Sequence, residues 1–596
     1  GGDGVLTLNR VNANSNAGAT NSFGVSATVT AGGSAVGALA DITANGNSAI
    51  SSFGVNAAAV AGTGDGRLAL DRVDANGNTG GDTFGVNAML AAGGGDGVLT
   101  LANVNANGNA GGTNSFGVNA TVTAGGAAAS ALTDITANGN SGNEWSFGVN
   151  ATVAAGTGDG RLALNGVDAN GNSGGETFGV NATLAAGGGD GLLTLNHVNA
   201  NGNASATNSF GVNATLTAGG AAVGALANVT ANGNSGNEWA FGVDATVVSG
   251  TGDGRLALNG VDANGNSGGD AFGVTAVVNA GGGDGVLTLA DVTASGNAAV
   301  TNGFGVDARV TASGDAAATV RDVTASGNSG GIASSSTFGL NVTVVAGGAG
   351  DAALTVDGVT ANGNSGSTNT FGVEATVVAG DDAAATLTDS EATGNLGADA
   401  MGVSATVVAG TGDAAAWLDG ITSAGNSQDG IVATVVGGGG GAEAYINNCV
   451  VHNNLTGDGI RAVVASGGSA ELGFNDNFVQ ANGVDGIDAT ATAAGTALIG
   501  ACENVVANNA TNGFRVTGGG GVVQIDFGLG AVNNEGRNSI YGNGAFGINN
   551  VGAGTVVAEN NFWGGAAPVG AAAPVADYRT PGVAAPATFL AIDPNL

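Results

Sequence analysis

Carboxylates, side-chain amides and aromatic side chains return at fixed intervals along this chain, and they are the groups that could do chemistry. An aspartate between two glycines occupies one turn in two of every three repeats, at Asp3, Asp65, Asp96, Asp159, Asp190, Asp253 and Asp284. Neighbouring copies should stack, and stacked carboxylates repel each other unless they are neutralised. In one interpretation these are ordinary turns, neutralised by the nearby Arg67, Arg161 and Arg255. In the other, calcium binds at the pairs Asp65/Asp96, Asp159/Asp190 and Asp253/Asp284.

An asparagine that ends an Asn-Gly-Asn or similar corner forms a second regular set. Its copies are Asn47, Asn78, Asn109, Asn140, Asn172, Asn203, Asn234, Asn266, Asn297 and Asn328. Buried side-chain amides need in-line hydrogen-bond partners, and identical amides on neighbouring repeats can supply them. We therefore expect a structural ladder at this position rather than a set of ligand-binding residues.

Two tryptophans follow glutamates on a variable loop, as Glu144-Trp145 and Glu238-Trp239. An exposed tryptophan beside a carboxylate can stack against a sugar ring, which makes these four residues candidate sugar contacts. A tryptophan that closes the loop onto the edge of its repeat is the alternative. The sequence does not separate the two.

Residues arranged for catalysis are not evident. The two histidines, His197 and His452, are isolated from any acidic group in the sequence, and no Ser/His/Asp set is present. The glycine-rich turns precede strands rather than helices, so they do not match nucleotide-binding loops. We predict that the chain is not an enzyme.

A repeat of about 31 residues, marked by Phe-Gly-Val, must position all of these groups. A fixed period of roughly 20–50 residues indicates stacked supersecondary units. Val118–Val122 alternate apolar with polar or small residues, which is the period of a half-buried strand, and Asn-Gly dipeptides predict turns. Each repeat then holds three short strands, and coiling buries their inward residues in one core. The pattern predicts an all-β parallel β-helix, or solenoid, of about 18 coils.

Later repeats carry the motif in a second form, as Gly430-Ile431, Tyr445 to Asn454, and Gly459-Ile460. Together with Asn560-Asn561-Phe562-Trp563-Gly564, they resemble the right-handed parallel β-helix (pectate-lyase-like) superfamily, and within it the secreted surface proteins. The resemblance covers about residues 1–565 and implies a right-handed coil. It implies little about function, because the superfamily includes lyases, hydrolases, adhesins, phage fibres and inert stalks.

Three segments differ in regularity. Residues 1–426 are regular coils, whose first part repeats every three coils, since 94 residues separate Val55 from Val149 and Val149 from Val243. Residues 427–565 are less regular coils. Residues 566–596 contain all five prolines and are predicted to be a C-terminal tail or cap. Copying three coils nearly intact suits a spacer, a lattice surface or a multivalent binding face better than a catalytic site.

Composition excludes several classes of partner. The formal charge is −35 and all 11 basic residues are arginine, so the chain offers no basic groove for nucleic acid. No apolar run is long enough to insert into a membrane. Cys449 and Cys502 fall two coils apart, roughly 10 Å at the spacing of strands, beyond the reach of a disulfide. We expect two free thiols.

Outward residues of the Phe-Gly-Val strand form a regular Asn-x-Thr grid, with one row per coil. Its rows are Asn119/Thr121, Asn150/Thr152, Asn181/Thr183 and Asn213/Thr215. Such a grid suits a solvent-facing strand. It is also similar to the threonine arrays of ice-binding β-solenoids.

We therefore expect a non-catalytic extracellular structural or adhesive rod, such as a surface fibre, stalk or filament subunit. The first alternative is a polysaccharide-binding or polysaccharide-cleaving β-helix, which acidic residues clustered in one groove would favour. The second is an ice-binding β-solenoid, which a flat and ordered Asn/Thr face would favour. The expected partners are further copies of the chain, joined head to tail through the apolar segment 587–592, or a cell-surface glycan.

Overall fold

Regular structure in this chain consists of β-strands that pair in parallel with the equivalent strands of neighbouring coils. The computed structural model describes residues 2–331, 336–528, 536–558, 561–564, 576–579 and 589–590, and these residues contain no helix. The predicted all-β, right-handed parallel β-helix is confirmed, with about 17 turns where the sequence indicated about 18.

Contacts between residues divide the chain into two compact units. The first comprises Gly1–Asn302 with Val306–Ala308, and the second comprises Gly303–Gly305 with Arg309–Leu596. Strand Gly303–Ala312 contains residues of both.

Two main strands recur in each coil of the first unit. The strand that carries Phe-Gly-Val spans Asn21–Ala31, Ser48–Ala61, Thr79–Ala92, Ala110–Ala124, Trp145–Ala155, Glu176–Ala186, Asn208–Ala218, Trp239–Ser249 and Asp270–Ala280. The other is nine residues long and spans Gly4–Asn12, Ala35–Thr43, Gly66–Asp74, Gly97–Asn105, Ala128–Thr136, Gly160–Asp168, Gly191–Asn199, Ala222–Thr230, Gly254–Asp262 and Gly285–Thr293. Two-residue strands occur at Ser141–Gly142, Ser173–Gly174, Ala204–Ser205, Ser267–Gly268 and Ala298–Ala299.

Strands of the second unit vary more in length, and from about residue 414 onward most coils show three of them. The earlier ones are Ala316–Thr324, Thr337–Ala346, Ala352–Asp357, Asn369–Ala379, Ala383–Thr388, Asp399–Ala409, Ala414–Asp419, Thr422–Ala424, Ile431–Gly437, Ala442–Asn447 and Val450–His452. The later ones are Ile460–Ser466, Ala470–Asn475, Phe478–Gln480, Ile487–Cys502, Val505–Ala507, Phe514–Asp526, Ser539–Tyr541, Phe546–Asn550, Thr555–Val557, Asn561–Phe562, Ala576–Arg579 and Phe589–Leu590.

A left-handed residue bends each nine-residue strand of the first unit. His197 is one example, with φ 51°, and the strand pairs normally on either side of it, at Asn196 and Val198. Two of the three short strands predicted for each repeat are therefore joined in the first unit, because a single unpaired residue turns the corner without ending the ladder.

Inward residues of equivalent strands form continuous columns of one residue type. Val149, Ala151 and Val153 are fully buried, and Val149 lies in register with Val118 and Val180. Phenylalanines of the same strands stack in the same way: the Phe147 ring lies 4.8 Å from Phe116 and 4.9 Å from Phe178, nearly parallel to both. Each coil thus buries its apolar face against its own copies.

Of the predicted tail, 566–596, only two short strands fall within the described residues. Ala576–Arg579 pairs with Phe546–Asn550, and Phe589–Leu590 pairs with Asn561–Phe562. The remaining residues of the tail lie outside the described residues, and so does Asn560 of the Asn-Asn-Phe-Trp-Gly segment.

Candidate functional sites

The buried asparagines form the predicted ladder. Asn172 donates from its Nδ2 to Asn203 Oδ1 at 3.0 Å and to the Ala169 carbonyl at 3.0 Å, and its backbone N–H reaches the same Asn203 oxygen at 2.9 Å. A Cβ on Gly148 would lie 2.7 Å from Asn172 Nδ2, which explains the glycine of the Phe-Gly-Val motif. The amides are fully buried, so this column serves the structure.

Turn aspartates are neighbours, as predicted, and each accepts a backbone hydrogen bond from the next coil. The Asp96 N–H donates to Asp65 Oδ1 at 3.1 Å, and the Ala127 N–H donates to Asp96 Oδ1 at 2.8 Å. The pairs Asp159/Asp190 and Asp253/Asp284 repeat the first of these bonds. One carboxylate oxygen of each of these pairs is thus bound within the turn.

Cations near these turns are few. Arg255 forms an ion pair with Asp253 at 3.3 Å. Within the described part of the chain, Arg67 and Arg161 form no ion pair, and no three His, Cys, Asp or Glu side chains lie close enough to share a metal ion. The structure therefore assigns a hydrogen-bonding role to the turn aspartates, and calcium stays a proposal.

Asparagines on the outward face form a second ladder that runs in the opposite direction. Asn150 Nδ2 donates back to Asn119 Oδ1 at 2.8 Å, and Asn181 Nδ2 donates back to Asn150 Oδ1 at 2.7 Å. The threonines of the predicted grid lie in register beside them. At Asp244 the column changes to a carboxyl group, and burial raises its pKa to about 6.

Both tryptophans extend the column of phenylalanine rings and keep part of their surface in solvent. Trp145 is 41% exposed and lies parallel to Phe147, with 6.0 Å between ring centroids, while Trp239 is 42% exposed and lies 5.9 Å from Phe241. Glu144 and Glu238 are exposed beside them. The loop closes onto the coil, yet a face remains that a sugar ring could cover.

An orphaned amide oxygen lies one coil before each tryptophan. Asn114 pairs in register with Trp145, and Asn208 with Trp239, and the Oδ1 of each asparagine is buried without a hydrogen-bond partner. Asparagine at the next position would donate to this oxygen, whereas tryptophan places an apolar ring there. Tryptophan in place of asparagine therefore loses this hydrogen bond at two equivalent positions of the three-coil repeat.

Both predicted free thiols are present as such. Cys449 is fully buried, and desolvation raises its pKa to about 12, so it is not a nucleophile at neutral pH. His452 is half-buried and contacts the side chain of Asn453. Neither residue lies in a catalytic arrangement within the described residues.

A group of carboxylates and arginines in the second unit escaped the sequence analysis. Asp429, Asp458 and Asp485 lie on consecutive coils. The Asp458 N–H donates to Asp429 Oδ1 at 2.8 Å, and the Asp485 N–H donates to Asp458 Oδ1 at 2.9 Å. Arg461 pairs with Asp429 at 3.0 Å, and Arg515 pairs with Asp488 at 2.7 Å. Burial raises the pKa of Asp458 to about 7, and the negative charges of the neighbouring aspartates add to the effect.

This acidic column continues the phenylalanine column. Val403 pairs with Ile431, so Asp429 occupies the place that Met401 and Phe371 hold in earlier coils. The available signal was the change of the motif from Phe-Gly-Val to Asp-Gly-Ile, followed by Arg461 or Asp488 on the outward face.

The second unit also has an acidic cavity. It has a volume of about 240 Å³ and is lined by Asp413, Glu443 and Glu471. Burial raises the pKa of Glu443, and the neighbouring carboxylates contribute. The exposed Trp417 pairs in register with Tyr445 nearby.

Comparisons with protein-family models, with curated proteins and with solved structures each found no match. Among the described residues, no helix is long and apolar enough to cross a membrane.

Proposed function

We propose that this chain is a non-catalytic, extracellular structural or adhesive β-helix that serves as a subunit of a surface fibre, stalk or filament. One observation carries the proposal. The polar side chains that recur on the coils of the first unit are bound mainly to copies of themselves on neighbouring coils. Hydrogen bonds between identical side chains of successive coils stabilise a long stack of coils. A catalytic site instead needs one arrangement of residues at one position.

Secretion and membership of the pectate-lyase-like superfamily belong to the same proposal. They rest on the residues that resemble that superfamily and on the right-handed parallel coil. The formal charge of −35 keeps a large repetitive surface in solution by mutual repulsion.

Head-to-tail assembly is the testable core of this function. We would measure sedimentation velocity of the intact chain over a hundredfold range of concentration and examine the native material by electron microscopy. Concentration-dependent polymers and fibres at the cell surface are the expected result. A chain that remains monomeric throughout the range, in a cell that shows no surface fibres, would refute the proposal.

A polysaccharide-binding or polysaccharide-cleaving role is the second candidate, and the aspartates of the second unit favour it. Asp458 has a pKa of about 7, so it can hold a proton at neutral pH beside Asp429 and Asp485. Carboxyl groups whose protonation states differ are what acid-base cleavage of a glycosidic bond requires. In the first unit, the half-exposed Trp145 and Trp239 are separate candidate surfaces for stacking against sugar rings.

This candidate is tested by release of reducing ends from acidic and neutral polysaccharides. Cleavage that is lost in Asp458→Asn, and retained in a control with an exposed aspartate changed, Asp262→Asn, would establish it. Absence of both cleavage and binding by the wild-type chain would remove it.

Ice binding is the remaining alternative, and the ordered Asn/Thr face of the first unit is what supports it. Thermal hysteresis that disappears in Thr152→Tyr would establish it, and a solution that freezes without hysteresis would remove it.

A further inference from the structure

The three-coil repeat allows one corner of the coil to be compared with its own copies. At the left-handed corner of the nine-residue strand, the first copy has Arg72, with φ 54°. Its Nε lies 2.6 Å from Asp41 Oδ1 and its Nη2 lies 3.2 Å from Asp41 Oδ2, and Nη1 also contacts Asp71. This two-point contact is the geometry in which guanidinium binds carboxylate most favourably, and it lowers the pKa of Asp41.

The second copy keeps the aspartate and loses the arginine. Asp134 occupies the place of Asp41, and Gly166 occupies the place of Arg72, with φ 66°. A Cβ on Gly166 would lie 2.9 Å from Asp134 Oδ1, so the carboxylate leans over the space that an arginine stem would fill. Within the described residues, Asp134 forms no ion pair.

A cavity of about 450 Å³ opens where the arginine is missing. Asp134, Gly166, Asp168 and His197 line it, together with three asparagines and one threonine. Asp168 is held by Asn199, whose Nδ2 donates to its Oδ1 at 2.7 Å. The lining contains two carboxylates and no arginine. Each carboxylate can accept a further hydrogen bond.

We propose that the cavity at Gly166 binds a guanidinium group from outside the chain, namely an arginine side chain of a protein partner. Asp134 takes the guanidinium as Asp41 takes Arg72. His197 also lines the cavity, and an imidazole ring is a group against which a guanidinium plane can stack. This interaction goes beyond the structural role proposed above and does not depend on it.

Arginine fits the site better than other cations do. Lysine would present a single point charge to Asp134, whereas the first copy shows a two-point contact. The formal charge of −35 attracts basic partners in general, and the cavity then selects among them by shape.

The test uses N-acetyl-L-arginine amide as the probe and proton NMR of the histidine ring as the readout. The chain has two histidines, so the Hε1 signals of His197 and His452 are readily assigned, and His452 is an internal control. We expect a saturable shift of the His197 signal with a dissociation constant of about 1 mM or weaker, as befits one side chain. N-acetyl-L-citrulline amide, which has the same shape without the charge, should cause no shift.

Three variants define the site. Gly166→Arg restores the residue of the first copy and should abolish the shift, and Asp134→Asn should weaken binding by about tenfold or more because it removes the carboxylate. Gly260→Arg places the same charge at the equivalent corner of the third copy, where φ is 63°, and should leave binding unchanged. Arg72 adopts a similar φ, so both arginine variants should fold. Equal shifts at His197 and His452, an unchanged titration in Gly166→Arg, or no shift with the wild-type chain would overturn the proposal.

Discussion

Many polar side chains of this protein form hydrogen bonds with the equivalent residues of neighbouring coils. A change of one residue in a column therefore affects the coils on both sides. Asp244 shows this on the outward face. Asn213 donates its amide to Asn181 at 2.8 Å, and the next residue in the column should donate to Asn213 in turn. Asp244 lies at that position, where only the protonated carboxyl can donate. Its raised pKa is consistent with this position.

Changing Asp244 to asparagine should stabilise the protein, and more so at high pH. The pKa of Asp244 rises from 3.8 in the unfolded chain to about 6 in the fold. The folded state therefore holds the proton more tightly, and stability falls as pH rises from about 4 through 6. We expect Asp244→Asn to gain about 1–3 kcal/mol at pH 8, from the carboxylate that no longer has to be buried.

At pH 4 the folded carboxyl is protonated and can donate as the amide of asparagine would, so the gain should shrink to about 1 kcal/mol or less. Denaturant unfolding at the two pH values measures both quantities. Asp262→Asn, at an exposed aspartate, is the control and should change stability by less than about 0.5 kcal/mol. An equal gain at both pH values would show that burial of the charge is not the cause.

At the scale of elements, the two asparagine columns of the Asn-Gly-Asn corner differ in burial. The inner column is fully buried and uses both amide and backbone donors. The outer column, two residues earlier, is half-buried and accepts a backbone N–H from the next coil, as when Asn201 donates to Asn170 Oδ1 at 2.8 Å. Water can replace the outer bond but cannot reach the inner one.

Asn172→Ala should therefore destabilise the protein by about 2–4 kcal/mol, since it leaves the donors of Asn140 without an acceptor in the core. Asn170→Ala, on the same corner, should cost about 1 kcal/mol or less. Chemical denaturation of the two variants in parallel makes the comparison. Similar losses in both would mean that the inner ladder contributes no more than the outer one.

Sequence patterns predicted the elements better than the sites. The period of the repeat and the Asn-Gly corners were enough for the coil, the inner ladder and the pairing of the turn aspartates, because all three depend on identical residues meeting one coil apart. The cavity at Gly166 could not be predicted from the repeat, because it depends on glycine standing where the first copy has Arg72. The aspartates around Asp458 were missed because their column had to be traced through phenylalanines into a changed motif.

Turn aspartates provide a test of the two interpretations drawn from the sequence. If they are ordinary turns, the melting midpoint should be the same in 1 mM calcium and in excess chelator, because each Oδ1 already accepts a backbone N–H. Differential scanning calorimetry measures this directly. A midpoint that rises with calcium would establish calcium binding at Asp65/Asp96 and its two copies.

At the scale of the whole molecule, the three-coil repeat divides the first unit into interchangeable blocks. Thr113-Asn114-Ser115-Phe116 returns as Thr207-Asn208-Ser209-Phe210. Their strands pair in register through the coils between them. If one three-coil block were removed, the coils on either side of it would therefore pair with strands equivalent to those they pair with in the intact chain.

Deleting residues 113–206 should give a chain that folds, retains its β-sheet circular dichroism and unfolds cooperatively. Every ladder loses three rungs and closes again, since Asn109 can bond Asn234 in the geometry in which it bonds Asn140 in the intact chain. Deleting residues 113–159 instead removes about one and a half coils and should prevent folding. If both deletions fold equally well, register between coils does not determine stability in this unit.

The opposed asparagine ladders have a consequence for the gene. Because each amide of the two ladders bonds the equivalent asparagine of a neighbouring coil, loss or gain of a block leaves both ladders closed. The fold then gives selection little reason to remove the new length. Slippage during replication and unequal crossing-over should then persist in steps of three coils. We expect alleles of different length within one population, all of them encoding stable protein.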